Sequence, residues 1–314
     1  EKHSIQADTH SNGETKLAHS PAAFEKMKQE AESIHQIYDV DPELISPDGL
    51  AAQGFGGTFY GALNIPIGFG LNPLKYALGL ARVATSAGAR IFGQTSVNEI
   101  AQAGGNYFVK TQDGVIRANK VVIATNGYSS ETIPKWMAGR YLPVQSSIIV
   151  TRKLNQQELN AQGWTSDQMS YDSRRLLHYF RLMPDGRFLF GLRGGVQSSA
   201  VSDAQVQRRA RADFEAMFPA WAKVETPWFW SGHVCLARNL TPFVGPVPNM
   251  AGLFAGFAYH GNGVAMGTYS GKALAEMVCG NAPSLVWPTM MGAPPRKFPA
   301  GKFRRAVLWP AYLG

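Results

Sequence analysis

The residues best arranged for chemistry are Tyr259-His260-Gly261-Asn262-Gly263, where a short apolar run from Leu253 to Tyr259 breaks into glycines and then into a helical pattern from about Gly263 to Val278. A helix N-terminus presents unpaired N–H groups and a partial positive charge, so it favours an anion or electron-rich oxygens held against it. Glycines at that point let a planar or phosphorylated ligand approach the backbone closely. Read alone, Gly261-x-Gly263-x-x-x-Gly267 is compatible with a dinucleotide-binding turn. Such a turn should open a βαβ unit with an acidic residue roughly 20 positions on, at the end of a second parallel strand. Gly280-Asn281-Ala282-Pro283 follows instead, so for this segment by itself a turn that serves packing alone stays open.

Other candidates lie upstream. His178-Tyr179-Phe180-Arg181 reads as part of a strand, whose alternation sets His178 and Phe180 on one face and Tyr179 and Arg181 on the other. Arg193, just past Gly191, is the better carboxylate ligand, because a guanidinium fork matches a carboxylate in two hydrogen bonds; an exposed loop arginine is the alternative. Tyr60 and Trp230 are aromatic walls for an amine, or ordinary core residues. No Ser-His-Asp or metal-ligand constellation stands out. Cys235 and Cys279 lack C-x-x-C spacing, which argues against a disulfide framework or a zinc site and fits a reducing cytoplasm.

Positioning these residues requires a mixed set of elements. Ser20-Pro21 opens a helix with Phe24, Met27, Ala31, Ile34 and Tyr38 at helical spacing, and Asn72-Pro73 opens another, with Leu74, Ala77, Leu78, Ala81 and Ala84 as its stripe and Gly88 as its stop. Between them, Pro42 to Pro66 reads as loops and short strands. Ala89 to Ile100 reads as a strand, Tyr107 to Thr111 and Val115 to Ala118 as a hairpin joined at Asp113-Gly114, and Lys120 to Gly127 as a buried strand running into a turn. From Leu142 to Phe190 the pattern is that of paired antiparallel strands. Ser202 and Gln205 form a capping-box pattern for a helix carrying Val206, Ala210, Phe214 and Met217.

The chain has 314 residues, enough for two domains, and 45% of them are hydrophobic, which argues against disorder. Its net charge is +8, but the basic residues form no continuous block; the densest patches are Arg208, Arg209, Arg211 and the tail Arg296, Lys297, Lys302, Arg304, Arg305. Such runs are usually solvated faces, so anionic small molecules such as carboxylates are a better reading than nucleic acid. No apolar run approaches the roughly 18 residues that span a bilayer, so no membrane association is expected.

Trp230-Ser231-Gly232-His233, Asn239-Leu240-Thr241-Pro242-Phe243-Val244-Gly245-Pro246 and Gly261-Asn262-Gly263-Val264-Ala265 resemble the C-terminal signature of the D-amino-acid oxidase and glycine oxidase superfamily. The helix from Asn72, the strand carrying Val97, the Asp113-Gly114 hairpin and Val121 to Tyr128 resemble its middle flavin-binding segment, in the same order. Asn64 to Lys75, Ala124 to Tyr128, Leu177 to Arg181 and His260 to Ala265 are similar to gamma-glutamylputrescine oxidoreductase-like proteins.

The resemblance implies an α/β (α+β) fold: a discontinuous FAD-binding domain and a mostly antiparallel β-sheet substrate domain with flanking helices. It divides the chain into substrate-domain segments 1–68 and 135–236, FAD-domain segments 69–134 and 237–282, and a tail from 283 to 314. It implies noncovalent FAD, with Val97 near the adenine, Ala124, Thr125, Asn126 and Gly127 against the dinucleotide, and Gly261, Asn262, Gly263, Val264, Ala265 and Met266 at the flavin pyrimidine edge. Some relatives carry a covalent flavin link in the region of His233 and Cys235. Tyr259 and His260 would then approach the isoalloxazine as catalytic residues, with Tyr60, His178, Arg193 and Trp230 as substrate contacts. The expected activity is oxidation of a CH–NH bond in a small-molecule amine. No βαβ unit with a Gly-x-Gly-x-x-Gly turn precedes Glu1, so the FAD-binding domain is expected to be truncated at its N-terminus. The alternatives are a cofactor-less fragment or noncatalytic binding module, and oxidation of a hydroxy acid.

Overall fold

The computed structural model describes residues 3–193, 200–299, 301 and 304. Strand β1 (Glu14–Leu17) leads into helix α1 (Pro21–Tyr38), where the Ser20 hydroxyl accepts the Ala23 N–H and Met27, Ala31 and Ile34 form the buried stripe. After the short strands β2 (Glu43–Ile45) and β3 (Ala62–Ile65), Asn72 Oδ1 accepts the N–H groups of Leu74 and Lys75 and starts helix α2 (Pro73–Ser86). The leucines of the α2 stripe do not face inward. Leu74 and Leu78 are exposed, and Gly79 is the buried position, closely packed on Ile5.

Residues 89–96, read as the start of a strand, are turns and irregular backbone. Gln94 there has φ +53, which a ladder cannot accommodate, and β4 (Val97–Ala103) begins only after it. Next come β5 (Asn106–Thr111) and β6 (Val115–Ala118), paired across Asp113-Gly114, and β7 (Val121–Ile123). The chain continues through β8 (Leu142–Lys153), α3 (Gln156–Gln162) with its Asn155/Glu158 capping box, β9 (Met169–Asp172), β10 (His178–Leu182) and β11 (Arg187–Arg193). Helix α4 (Ala200–Met217) starts ahead of the expected cap, so Ser202 is an internal helical position. Strands β12 (Trp228–Leu236), β13 (Phe243–Pro246) and β14 (Leu253–Phe257) and helix α5 (Gly263–Val278) follow.

The chain forms two compact units, Glu1–Ala89 with Ser146–Gly232, and Arg90–Gln145 with His233–Gly314. These divisions differ from 68/69, 134/135 and 236/237. Helix α2 goes with the first unit, where the Asn72 N–H donates to Ala7 O at 2.7 Å and Gly79 packs on Ile5.

The first unit is built on an eight-stranded sheet of order β12-β8-β11-β10-β9-β1-β3-β2, in which β1 and β9 run parallel while β9-β10-β11-β8 and β1-β3-β2 are antiparallel. Alternation along β11 puts Phe188, Phe190 and Leu192 on one face, opposite Phe180 of β10 and beneath Ala210, Phe214 and Met217 of α4. Trp164 closes this core, its ring centroid 5.4 Å from Phe55 and Phe188 and 5.6 Å from Phe180. In the second unit β14 pairs antiparallel with β13 and parallel with β7, and β4-β5-β6 form a separate hairpin sheet. Leu253, Ala255 and Phe257 are fully buried with Tyr107, Ile123, Met137 and Phe243. Strand β7 is half-exposed rather than buried throughout, because among the described residues its ladder runs to β14 alone and Val122 faces out. Among the described residues no helix is long and apolar enough to cross a membrane.

Within the first unit His178 stacks on Phe190 at 5.1 Å and holds Asp172 Oδ2 at 2.7 Å through Nδ1 and Asp213 Oδ2 at 3.1 Å through Nε2. Burial alone would lower the His178 pKa, but the two carboxylates reverse this and raise it above 6.5. Burial likewise pushes the two carboxyls up, and His178 pulls both below 3.8, aided by Arg174 at Asp172 and by Arg209 and Arg174 at Asp213. Stability from His178 is therefore full below its unfolded value and lost as pH rises through the raised value, whereas the carboxylates lose theirs as pH falls below 3.8. The thermal midpoint should peak between these limits. His178→Leu should cost roughly 3 kcal/mol, the low end for a broken buried pair because Arg174 still holds Asp172, and should remove the decline on the alkaline side. An unchanged alkaline decline in the variant would assign that decline to other groups.

Candidate functional site

Because β7 and β14 are parallel neighbours in the second unit, the turns that follow them leave the same edge of the sheet. Ligands of α/β folds bind at that carboxyl edge, where backbone released from the ladder is free to face them. After β7, Ala124 and Thr125 run into a 3-10 turn at Asn126–Tyr128, and Asn126 adopts φ +44. Its Oδ1 accepts the N–H of Ala258, the first residue after β14, at 3.0 Å. Ala258 has φ +68 and His260 φ +56. Left-handed conformations cost residues with a Cβ about 1–3 kcal/mol each and persist only where neighbouring bonds enforce them.

Those bonds are present. His260 donates its N–H to Cys235 O at 3.1 Å, and its Nε2 accepts the Ala237 N–H at 3.0 Å. An accepting Nε2 carries no proton, so the proton of the neutral ring sits on Nδ1. Gly127 abuts His233: a Cβ built there would lie 2.9 Å from His233 Cβ and 3.0 Å from its carbonyl oxygen. The Tyr128 ring lies 5.0 Å from that of His233, and its hydroxyl accepts the His233 N–H at 3.2 Å. Residues 126–128, 233–237 and 258–260 thus form one hydrogen-bonded network.

Helix α5 opens from this network. Gly261 turns the chain at φ +114, and Asn262 is the N-cap residue yet makes no side-chain cap bond. The Met266 N–H is the first to reach back to Asn262 O, at 2.9 Å. The N–H groups of Gly263, Val264 and Ala265 therefore have no intrahelical acceptor. A Cβ on Gly263 would meet nothing within 4 Å, and Gly261, Asn262, Val264 and Ala265 are exposed. Three donors without an intrahelical acceptor and the positive end of a 16-residue helix thus lie at a largely exposed turn.

Tyr259 points elsewhere, packing with Val244, Leu274 and Met291 on the α5 side of β14, and burial raises its phenol above the ordinary value. Burial also pushes the Cys235 thiol up to about 12, so it stays protonated at neutral pH. Val97 lies in the hairpin sheet, exposed at the start of β4. The remaining candidates are in the first unit. Tyr60 and Trp230 are exposed, at 45% and 47%, Arg193 is half-buried at the end of β11, and His178 has both ring nitrogens on carboxylates. Among the described residues no group of three or more metal-ligating side chains occurs. Sequence reading placed both turns but missed the network that joins them. The one available signal was Asn126, a residue type tolerant of φ > 0 at the end of a β-branched run. Lys302 and Arg305 of the basic tail lie outside the described residues.

Comparison with known proteins adds a direct finding. Residues 1–277 match the family model described as DAO, FAD dependent oxidoreductase. The chain is 33% identical over 241 residues to "Probable oxidoreductase OrdL" of Rhizobium meliloti, covering 76% of this chain and 54% of that protein. It is 25% identical over 279 residues to "Gamma-glutamylputrescine oxidoreductase" of Escherichia coli, covering 89% and 64%. It therefore spans between about half and two thirds of the length of these relatives. Its fold is similar to that of glycine oxidase from Geobacillus kaustophilus, with a TM-score of 0.78 at 18% identity over 93% of this chain and 76% of the other. With the family model spanning nearly all of its length, this chain belongs to the DAO family of FAD-dependent oxidoreductases.

Proposed function

We propose that this chain supplies the flavin-edge and substrate-sheet portion of an FAD-dependent enzyme that oxidises the CH–NH bond of an amine or amino-acid-like small molecule, in the manner of gamma-glutamylputrescine oxidoreductase. The carrying observation is that Asn126 and Ala258 bring the turn 124–127 and the uncapped N-terminus of α5 to one sheet edge. These residues fit a flavin. Open space in front of Gly263 admits a flat ring edge, and the free N–H groups of Gly263, Val264 and Ala265 match electron-rich pyrimidine oxygens. FAD, when bound, supplies the hydride acceptor. Gly261, Asn262, Gly263, Val264, Ala265 and Met266 would hold its pyrimidine edge, Ala124, Thr125, Asn126 and Gly127 its dinucleotide, and Val97 would lie toward the adenine. Attachment is noncovalent in this reading, because Cys235 is buried and its thiol stays protonated.

The chain's own residues bind, orient and exclude water, since amine oxidation needs little acid–base chemistry once the amine is neutral. His260 is a positioning residue, whose unprotonated Nε2 holds Ala237 while its backbone fixes the turn. Tyr259 stays neutral and fills the space between β14 and α5. Tyr60 and Trp230 offer aromatic surface to the amine, and Arg193 offers its guanidinium to a carboxylate. His178 supports the sheet that carries Arg193.

Purified protein, alone and extended at its N-terminus by a dinucleotide-binding βαβ unit, should take up added FAD with flavin absorbance that bleaches anaerobically on adding amine or amino acid. Bound flavin that no amine reduces would refute the substrate class, and no binding to either form would refute the flavin reading. A carboxylate placed against the helix end separates a ligand turn from a packing turn. Gly263→Glu should weaken FAD roughly tenfold, equivalent to about 1.4 kcal/mol, while Gly263→Ala, whose Cβ meets open space, should bind like the parent. Equal effects of the two would mark the turn as structural. Asn126→Ala, which leaves the Ala258 N–H without its partner, should destabilise the second unit by about 1–3 kcal/mol in thermal unfolding.

A further inference from the structure

The first unit buries a guanidinium that no carboxylate among the described residues answers. Arg181 of β10 is 9% exposed. Its Nη2 donates to Leu71 O at 3.0 Å, and its Nη1 to Met169 Sδ at 3.0 Å, a weak acceptor, with His10 Nε2 at 3.5 Å. His10 gives Nδ1 to Asp8 O at 2.9 Å, which leaves Nε2 as an acceptor toward the guanidinium. These bonds use part of the five-donor fork, and none of Arg181's partners among the described residues is anionic. A buried charge without a counter-ion is costly, and burial pulls the Arg181 pKa below its ordinary value.

Arg181 lines a cavity of about 430 Å³ together with Asp8, His10, Lys75, Met183 and Asp185. Arg187, outside the lining, pairs with Asp185, and once it is counted the charges at the site leave one positive charge over. Lys75 Nζ lies 2.7 Å from Asp8, and Asp185 lies 3.5 Å from Arg187. Both acidic residues of the lining already have a cation, and among the described residues Arg181 has no anion. The cavity also opens at Asn72, the N-cap of α2, so the helix dipole adds potential of the same sign.

We infer that this cavity binds a small monocarboxylate, with the carboxylate on the Arg181 guanidinium and the alkyl end against Met183. One negative charge balances the site, whereas a phosphate dianion would bring a second against Asp8 and Asp185. A planar carboxylate also suits the guanidinium hydrogens left over by Leu71 and Met169. The site lies wholly within the first unit and does not depend on the flavin reading.

Acetate and propionate, titrated at constant ionic strength against chloride and inorganic phosphate, test this in the full chain by thermal unfolding. Binding to the folded state raises the midpoint saturably. The two carboxylates should do so, while chloride and phosphate at equal ionic strength should not. Arg181→Met should raise the apparent Kd for propionate at least about tenfold, the effect of losing a charge-assisted pair. Met183→Trp, which fills the cavity and leaves Arg181 in place, should remove the response as well and serves if Arg181→Met does not fold. An equal response to chloride or phosphate, or a full carboxylate response in either folded variant, would overturn the inference.

Discussion

The hydrogen bond from the Ala258 N–H to Asn126 Oδ1 is the constraint on which the second unit's candidate site depends. It joins two turns 132 residues apart in sequence. Each turn spends backbone energy on left-handed residues: Asn126 on one side, Ala258 and His260 on the other. The bond, together with the contacts of His260 to Cys235 and Ala237, holds those conformations in place. Without them the end of β14 could relax, and the first turn of α5 would lose its fixed aim. The uncapped helix end is thus a pre-set donor group rather than a frayed terminus.

Gly127 follows from the same constraint. Its neighbour Asn126 must turn sharply to reach Ala258, and that brings the backbone against His233 closely enough that no side chain fits. The first unit solves a different problem, a wide sheet needing one dry face, and fills it with aromatic rings from β10, β11, α4 and Trp164. Its opposite face carries polar groups, among them Arg181 and the Tyr179 hydroxyl, which lies 2.8 Å from Ser146 Oγ.

Much of this was legible in the sequence because it is written locally. Ser20, Asn72 and Gly280 mark helix ends, Asp113-Gly114 marks a hairpin, and the alternation in β10 assigns faces correctly. The misses have a common cause in long-range context. The strand expected from Ala89 fails at Gln94, the α2 leucines face out although their spacing is helical, and β7 is half-exposed although its residues are β-branched. Glycine spacing located the α5 turn but not its partner, because the link is one asparagine side chain reaching a distant backbone amide. His178, read as a ligand to substrate, sits between Asp172 and Asp213, carboxylates that nothing near it in the sequence announces as a pair.

Belonging to the family sets the expected cofactor; the claim specific to this chain is that the two bonded turns are where it rests. Backbone amide hydrogen exchange with and without FAD tests that claim most directly. The account predicts FAD-dependent protection concentrated in peptides covering Ala124 to Tyr128 and Ala258 to Met266. Protection confined to other segments, with these two unchanged while FAD is bound, would contradict it.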